Sequence, residues 1–151
     1  MKGELLYQAS YFWKVELPKN KMLIIFDGVC NLCNSSVLFV IKRDKRNVFL
    51  FVPLQSETGK QIVQQRGIDT SKTDSIILLE PNVAYYTKST AALKIGKALG
   101  GGWKLLTILE WIPAVIRDFI YEIIAKNRYK WFGKRDKCMV PTTDLKAKFL
   151  D

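Results

Sequence analysis

Cys30 and Cys33 lie three residues apart, shortly after the apolar run Met22-Leu23-Ile24-Ile25-Phe26. A Cys-x-x-Cys pair serves two chemistries, thiol-disulfide exchange and metal binding. Exchange needs two sulfurs that reach one substrate disulfide and then each other. At the start of a helix the pair meets that need: Cys30 sits at the exposed N-terminus, where unpaired backbone N–H groups and the helix dipole favour a thiolate, and Cys33 lies one turn beneath it. Cys30 then attacks a disulfide, and Cys33 resolves the mixed disulfide. Asn31 and Leu32 carry no charge and leave the direction of exchange open. Asp27, three residues before Cys30, has two readings. It accepts the Cys33 proton through water, or it holds the Asp27-Gly28 turn by bonding local N–H groups, and the second carries more weight.

The metal reading is the weaker one. A structural zinc site takes four ligands, whereas the chain has no histidine and a single further cysteine, Cys138. The absence of histidine also excludes imidazole-based triads, and no cofactor is called for. Cys138 follows Lys134, Arg135 and Lys137, whose charge would favour a third redox thiolate; the plainer reading is a small residue near the C-terminus.

The surrounding pattern supplies a scaffold. Met22–Phe26 reads as a strand buried on both faces, ended by Asp27-Gly28. From Asn31 to about Asp44, residues Cys33, Val37, Val40 and Ile41 form one face of a helix, and Val48–Val52 is a second strand closed by Pro53. Such a βαβ unit has a right-handed crossover. Ser56 caps a helix running to Arg66, with Gly67 after it. Ser75–Leu79 and Val83–Tyr86 form an antiparallel hairpin around Pro81-Asn82, and Ser89 caps a helix to Leu99 that Gly100-Gly101-Gly102 stops. Trp103–Asn127 is helical, with a break near Pro113. The order is βαβ, a helix, ββα and a C-terminal helical extension: an α/β, thioredoxin-like fold. We divide the chain into an N-terminal extension (1–21), a thioredoxin-like core (22–102) and a helical, basic extension (103–151) packed on the same domain.

The run from Phe26 through Cys30 to Cys33 resembles the DCC family of thiol-disulfide oxidoreductases. Asp74-Ser75-Ile76, Ser89–Leu93 leading to Leu99-Gly100-Gly101, Asn127-Arg128-Tyr129 and Phe132-Gly133-Lys134-Arg135 resemble later blocks of that family in the same order, from about residue 22 to 141. The resemblance implies a thioredoxin-like domain with Asp27, Cys30 and Cys33 as the site. Better-known thioredoxins place a cis-proline before the third strand, facing the cysteines. Asp74-Ser75 stands there instead, which puts general protein-disulfide reduction in doubt.

At 151 residues and 48% hydrophobic content the chain can bury one core without disulfide staples. The opening residues fail the signal-peptide pattern, and charges with Pro113 interrupt Leu105–Ala125, so we expect a cytoplasmic protein, peripheral to a membrane at most. In a reducing cytoplasm the reductase direction is favoured, acting on a disulfide-containing protein or a small thiol substrate. The 24 basic and 14 acidic residues give a net charge of +10, weighted toward Lys126–Lys148. A second class of function is therefore a basic binding module with non-catalytic cysteines, its partner an anionic membrane surface through the C-terminal region. Nucleic acid is the weaker partner: Arg128-Tyr129-Lys130-Trp131-Phe132 interleaves basic and aromatic residues, but the default is aromatics packed on the domain with solvated cations. By the same default, the apolar residues of 103–120 cover one side of the sheet.

Overall fold

The computed structural model describes residues 17–70, 76–81, 83–137 and 141–150. Its elements are β1 (Met22–Phe26), α1 (Asn31–Arg43), β2 (Phe49–Pro53), α2 (Glu57–Gln65), β3 (Ile77–Glu80), β4 (Ala84–Thr87), α3 (Lys88–Leu99), a 3-10 helix (Gly101–Trp111), α4 (Ala114–Phe132) and a single 3-10 turn (Lys146–Lys148). Among the described residues, four strands form one sheet in the order β2-β1-β3-β4, with β1 and β2 parallel and the other pairs antiparallel. This is the thioredoxin-like arrangement that the element order predicts.

The apolar run of β1 is central in the sheet, so its alternating side chains feed two core layers. Ile24 and Phe26 join Phe49, Phe51 and Leu78 beneath Val37 and Val40 of α1 and Ala91 and Ile95 of α3. Leu23 and Ile25 join Leu50, Val52, Ile77 and Leu79 beneath Ile62 and Val63 of α2. The chain end returns to seal the first layer: Phe149 bridges to Phe51, and the Leu150 N–H donates to the Phe51 carbonyl at 3.0 Å. Asp44 fixes the α1-β2 connection by accepting from the N–H groups of Val48 and Phe49, each at 3.0 Å.

Most strand and helix boundaries fall within about two residues of the sequence expectations, as terminal fraying allows, but residues 101–111 form a 3-10 helix and α4 runs to Phe132, five residues past the expected Asn127. Ser89 is a correction. Thr87 is the N-cap of α3, and Ser89 sits inside the first turn with its hydroxyl on Asp118 of α4; a tertiary partner takes the side chain away from capping. A larger correction concerns residues 103–120. Trp103, Leu105, Trp111, Val115 and Phe119 do not cover the sheet but are exposed. Asp74, Ser75, Asn82 and Cys138 lie outside the described residues.

Gly59 shows how tightly α2 seats on β2. A Cβ there would stand 2.2 Å from the Pro53 carbonyl oxygen. Replacing a mid-helix glycine with alanine ordinarily stabilises by about 1 kcal/mol. Gly59→Ala should reverse that sign and destabilise by at least about 1 kcal/mol, because the clash is with backbone. Urea unfolding of the two proteins decides it.

Candidate active site

The turn after β1 delivers the cysteines to the start of α1. Cys30 is the N-cap, extended at φ −85° and ψ 122°, and its Sγ accepts the Cys33 N–H at 3.3 Å. A sulfur thus occupies the capping place usually held by a serine or aspartate oxygen, facing the unpaired donors of the first turn. Both cysteines are free thiols. Asn34, buried next to them, donates from Nδ2 to the Gly28 carbonyl at 2.9 Å and locks the turn against the helix.

The helix-terminus argument expects an exposed Cys30, and the structure corrects it: its exposure is 0%. The segment after α4 closes over it. Lys134 forms an antiparallel bridge with Cys30, the Arg135 N–H donates to the Val29 carbonyl at 2.7 Å, and the Asn31 N–H donates to the Gly133 carbonyl at 3.3 Å. The Asn31 side chain secures both ends of this strap: Nδ2 donates to the Phe132 carbonyl at 2.9 Å, and Oδ1 accepts from Arg135 Nε at 3.1 Å. Gly133 makes the turn possible, with φ +88° and no side chain where a Cβ would lie 2.8 Å from Asn31 Nδ2. The strap pairs with the backbone at Cys30 in the manner of an added strand.

Asp27 is buried beneath this arrangement, and its carboxylate is fully engaged. Oδ1 accepts from Gln55 Nε2 at 2.6 Å and from the Val29 N–H at 3.1 Å. Oδ2 accepts from the Tyr129 hydroxyl and from Arg128 Nη2 at 3.3 Å, the latter an ion pair with both side chains largely buried. Burial alone would raise the carboxyl; the bonds from Tyr129, Gln55, Val29 and Arg128 outweigh it and hold Asp27 below its ordinary value. Burial, the bond to Cys30 and the charges of Cys30 and Asp27 push the Cys33 thiol up, with Arg128 opposing.

Arg128 and Cys33 also border an apolar cavity of about 470 Å³ between α1, α3, the 3-10 helix and α4, lined by Val40, Ile95, Leu99 and Leu106 among others. Residue spacing alone did not reveal Gln55, Arg128, Tyr129 or the strap, since Tyr129 is 102 residues from Asp27 and Arg135 is 104 from Asn31 in sequence. The signal lay in the later family-like blocks Asn127–Tyr129 and Phe132–Arg135, which read by composition as a solvated basic segment. Within it the default holds for Tyr129, packed on Asp27, and for the solvated Lys130, but fails for the largely buried Arg128 and for the exposed Trp131 and Phe132.

Over residues 24–134 the sequence matches the family described as DCC1-like thiol-disulfide oxidoreductase. It is 47% identical over 128 residues to the uncharacterized protein YuxK of Bacillus subtilis, spanning 85% of this chain and 93% of that one. It is 42% identical over 131 residues to a chloroplastic DCC family protein of Arabidopsis thaliana, spanning 86% of this chain and 73% of the other. No solved structure matches.

Two outcomes follow from this geometry. Because the folded value of Asp27 lies below the unfolded 3.8, its contribution to stability is fully present above about pH 4 and is lost as pH falls through the lower folded value. Asp27→Asn leaves the buried Arg128 unpaired and should cost about 3 kcal/mol at pH 7; its melting temperature between about pH 5 and 2 should fall less steeply than the parent's. Asn31→Ala removes two strap bonds of about 0.5–1.5 kcal/mol each, so alkylation of Cys30 should accelerate about tenfold. Alkylation kinetics followed by peptide mass spectrometry measure this.

Proposed function

We propose that this chain, which belongs to the DCC1-like thiol-disulfide oxidoreductase family, catalyses thiol-disulfide exchange by cycling Cys30 and Cys33 between dithiol and disulfide. The observation that carries the reading is the pairing of two free thiols at one helix N-terminus, with Cys30 Sγ on the Cys33 N–H. That N–H and the rest of the first turn would steady negative charge on the attacking sulfur.

In this mechanism the Gly133–Arg135 strap first leaves Cys30, vacating a backbone edge on which an extended substrate could pair. The Cys30 thiolate attacks one sulfur of the substrate disulfide, which breaks as a Cys30-substrate disulfide forms; the displaced sulfur leaves as a thiolate and takes up a proton. Cys33 then loses its proton and attacks Cys30 Sγ. The second substrate sulfur departs as a thiol, leaving the substrate reduced by two electrons and the Cys30–Cys33 pair oxidised. Burial keeps Cys33 protonated in the resting site, which suits a thiol called on only after the mixed disulfide forms. Asp27 acts here as a positioning residue. Its carboxylate holds the turn, Arg128 and Tyr129 together, and its proximity to Cys33 ties proton loss there to the same cluster.

We take reduction of a disulfide-containing protein or a small disulfide as the natural direction, on the expectation of a reducing cytoplasm. Equilibration in glutathione buffers, with alkylation and mass spectrometry to identify the pair, should yield a reversible Cys30–Cys33 disulfide. Cys30→Ser should abolish turnover with a disulfide substrate, and Cys33→Ser should accumulate mixed disulfides on Cys30. Undiminished turnover in Cys30→Ser would sink the proposal in favour of a binding module with non-catalytic cysteines.

A further inference from the structure

α4 is amphipathic, but it is turned the opposite way from an ordinary surface helix. Its polar side chains face the domain: Asp118 accepts from Ser89, Glu122 pairs with Lys88, and Arg128 and Tyr129 bind Asp27. Tyr121, Ile124 and Ala125 line the cavity, but its other large apolar side chains face away. Val115, Ile116, Phe119, Ile120 and Ile123 are all exposed, Val115 at 82%. At about 100° per residue these positions span roughly a 140° arc of the helix.

The preceding 3-10 helix extends the same surface. With three residues per turn, side chains three apart eclipse one another, and Leu105, Ile108 and Trp111 form such an exposed row, with Trp111 at 90%. Pro113 joins the two rows at a corner. So many large apolar side chains on adjoining rows exceed what isolated surface hydrophobics explain.

Charge identifies what covers them. The acidic residues of α4 are engaged by the domain, Asp118 by Ser89 and the partly exposed Glu122 by Lys88, so the remaining exposed charges of α4 are Lys126 and Lys130, followed by Lys134, Arg135 and Lys137 against Asp136; on the 3-10 helix Lys104 and Glu110 are both exposed. The outward face therefore runs from apolar at the Pro113 corner to cationic near the strap. Two copies meeting through this face would bring like-charged rims together on chains that each carry +10. An anionic headgroup layer over hydrocarbon complements both halves. Tryptophan at the tip also suits the interfacial zone. Among the described residues no helix is long and apolar enough to cross a membrane, so contact is with one leaflet.

We propose that the corner formed by the 3-10 helix and the N-terminal half of α4 docks the protein on an anionic membrane surface, with Trp111, Val115 and Phe119 entering the interface and Lys126 and Lys130 on the headgroups.

The test is co-sedimentation of the full chain with vesicles of phosphatidylcholine alone or mixed with phosphatidylserine, at low and high salt. Binding should require phosphatidylserine and weaken with salt. Phe119→Ser with Ile120→Ser should weaken it at least about tenfold, since both side chains are exposed and their loss leaves the core intact. Lys126→Glu with Lys130→Glu should weaken it at least about tenfold, at about fivefold for each lysine lost and more for the reversal of charge. Cys30→Ser should bind like the parent, so loss of exchange chemistry and loss of docking are separable. No binding to phosphatidylserine vesicles overturns the proposal, as does binding that the Phe119 and Ile120 changes leave intact. A dimer in sedimentation equilibrium that those changes dissociate, without vesicle binding, overturns it in favour of a second copy of the chain.

Discussion

One buried carboxylate holds the site to its cover. Asp27 ends β1, and its four hydrogen bonds come from the adjoining turn, from Gln55 beyond β2, and from Arg128 and Tyr129 on α4. An unpaired carboxylate at that depth would be neutralised or unfold its surroundings. The folded state is therefore one in which α4 is docked, and docking α4 sets where the chain goes after Phe132. The strap over Cys30 is a downstream consequence of the same bond set: with Arg128 and Tyr129 fixed, the turn at Gly133 brings Lys134 against the Cys30 backbone. Protection of the thiol and orientation of the helix share one cause.

This constraint explains which parts were legible in the sequence. The strands were readable because β1 and β2 are unbroken apolar runs, and α1 because Cys33, Val37 and Val40 repeat at helical spacing. Local periodicity and burial agree there, so residue pattern alone suffices. The cysteine pair was readable for the same reason, lying on one element with local spacing. The cover was not. Pairing of Asp27 with Arg128 and Tyr129 spans about 100 residues, and nothing in a basic-aromatic stretch distinguishes a cation bound for a buried carboxylate from one bound for solvent. Composition favoured the solvated reading, and the desolvated ion pair overrode it.

The same limit applies to α4 as a whole. Its sequence pattern shows two faces but not which faces inward, and the default rule sends the apolar face to the core. Here the core is already complete: Phe149 returns from the chain end to fill the layer beside Phe26 and Phe51. α4 closes the cavity with Tyr121, Ile124 and Ala125, and its other inward partners are polar. Lys88, Ser89 and Asp27 supply them, and the helix presents its charged side to the domain.

The cost of that orientation falls on the outside. Exposed Val115, Ile116 and Phe119 add apolar area to water that another rotation of α4 would have hidden. Each such side chain gives up about 1.5–3 kcal/mol of burial it could have gained. The compensating inward contacts are few, and those at the Pro113 end of the helix are hydrogen bonds and an exposed ion pair of modest net strength. Stability of the isolated domain therefore does not account for the orientation. The docking proposed for the apolar corner would account for it, and it would leave the polar face to hold Asp27 and the strap above Cys30.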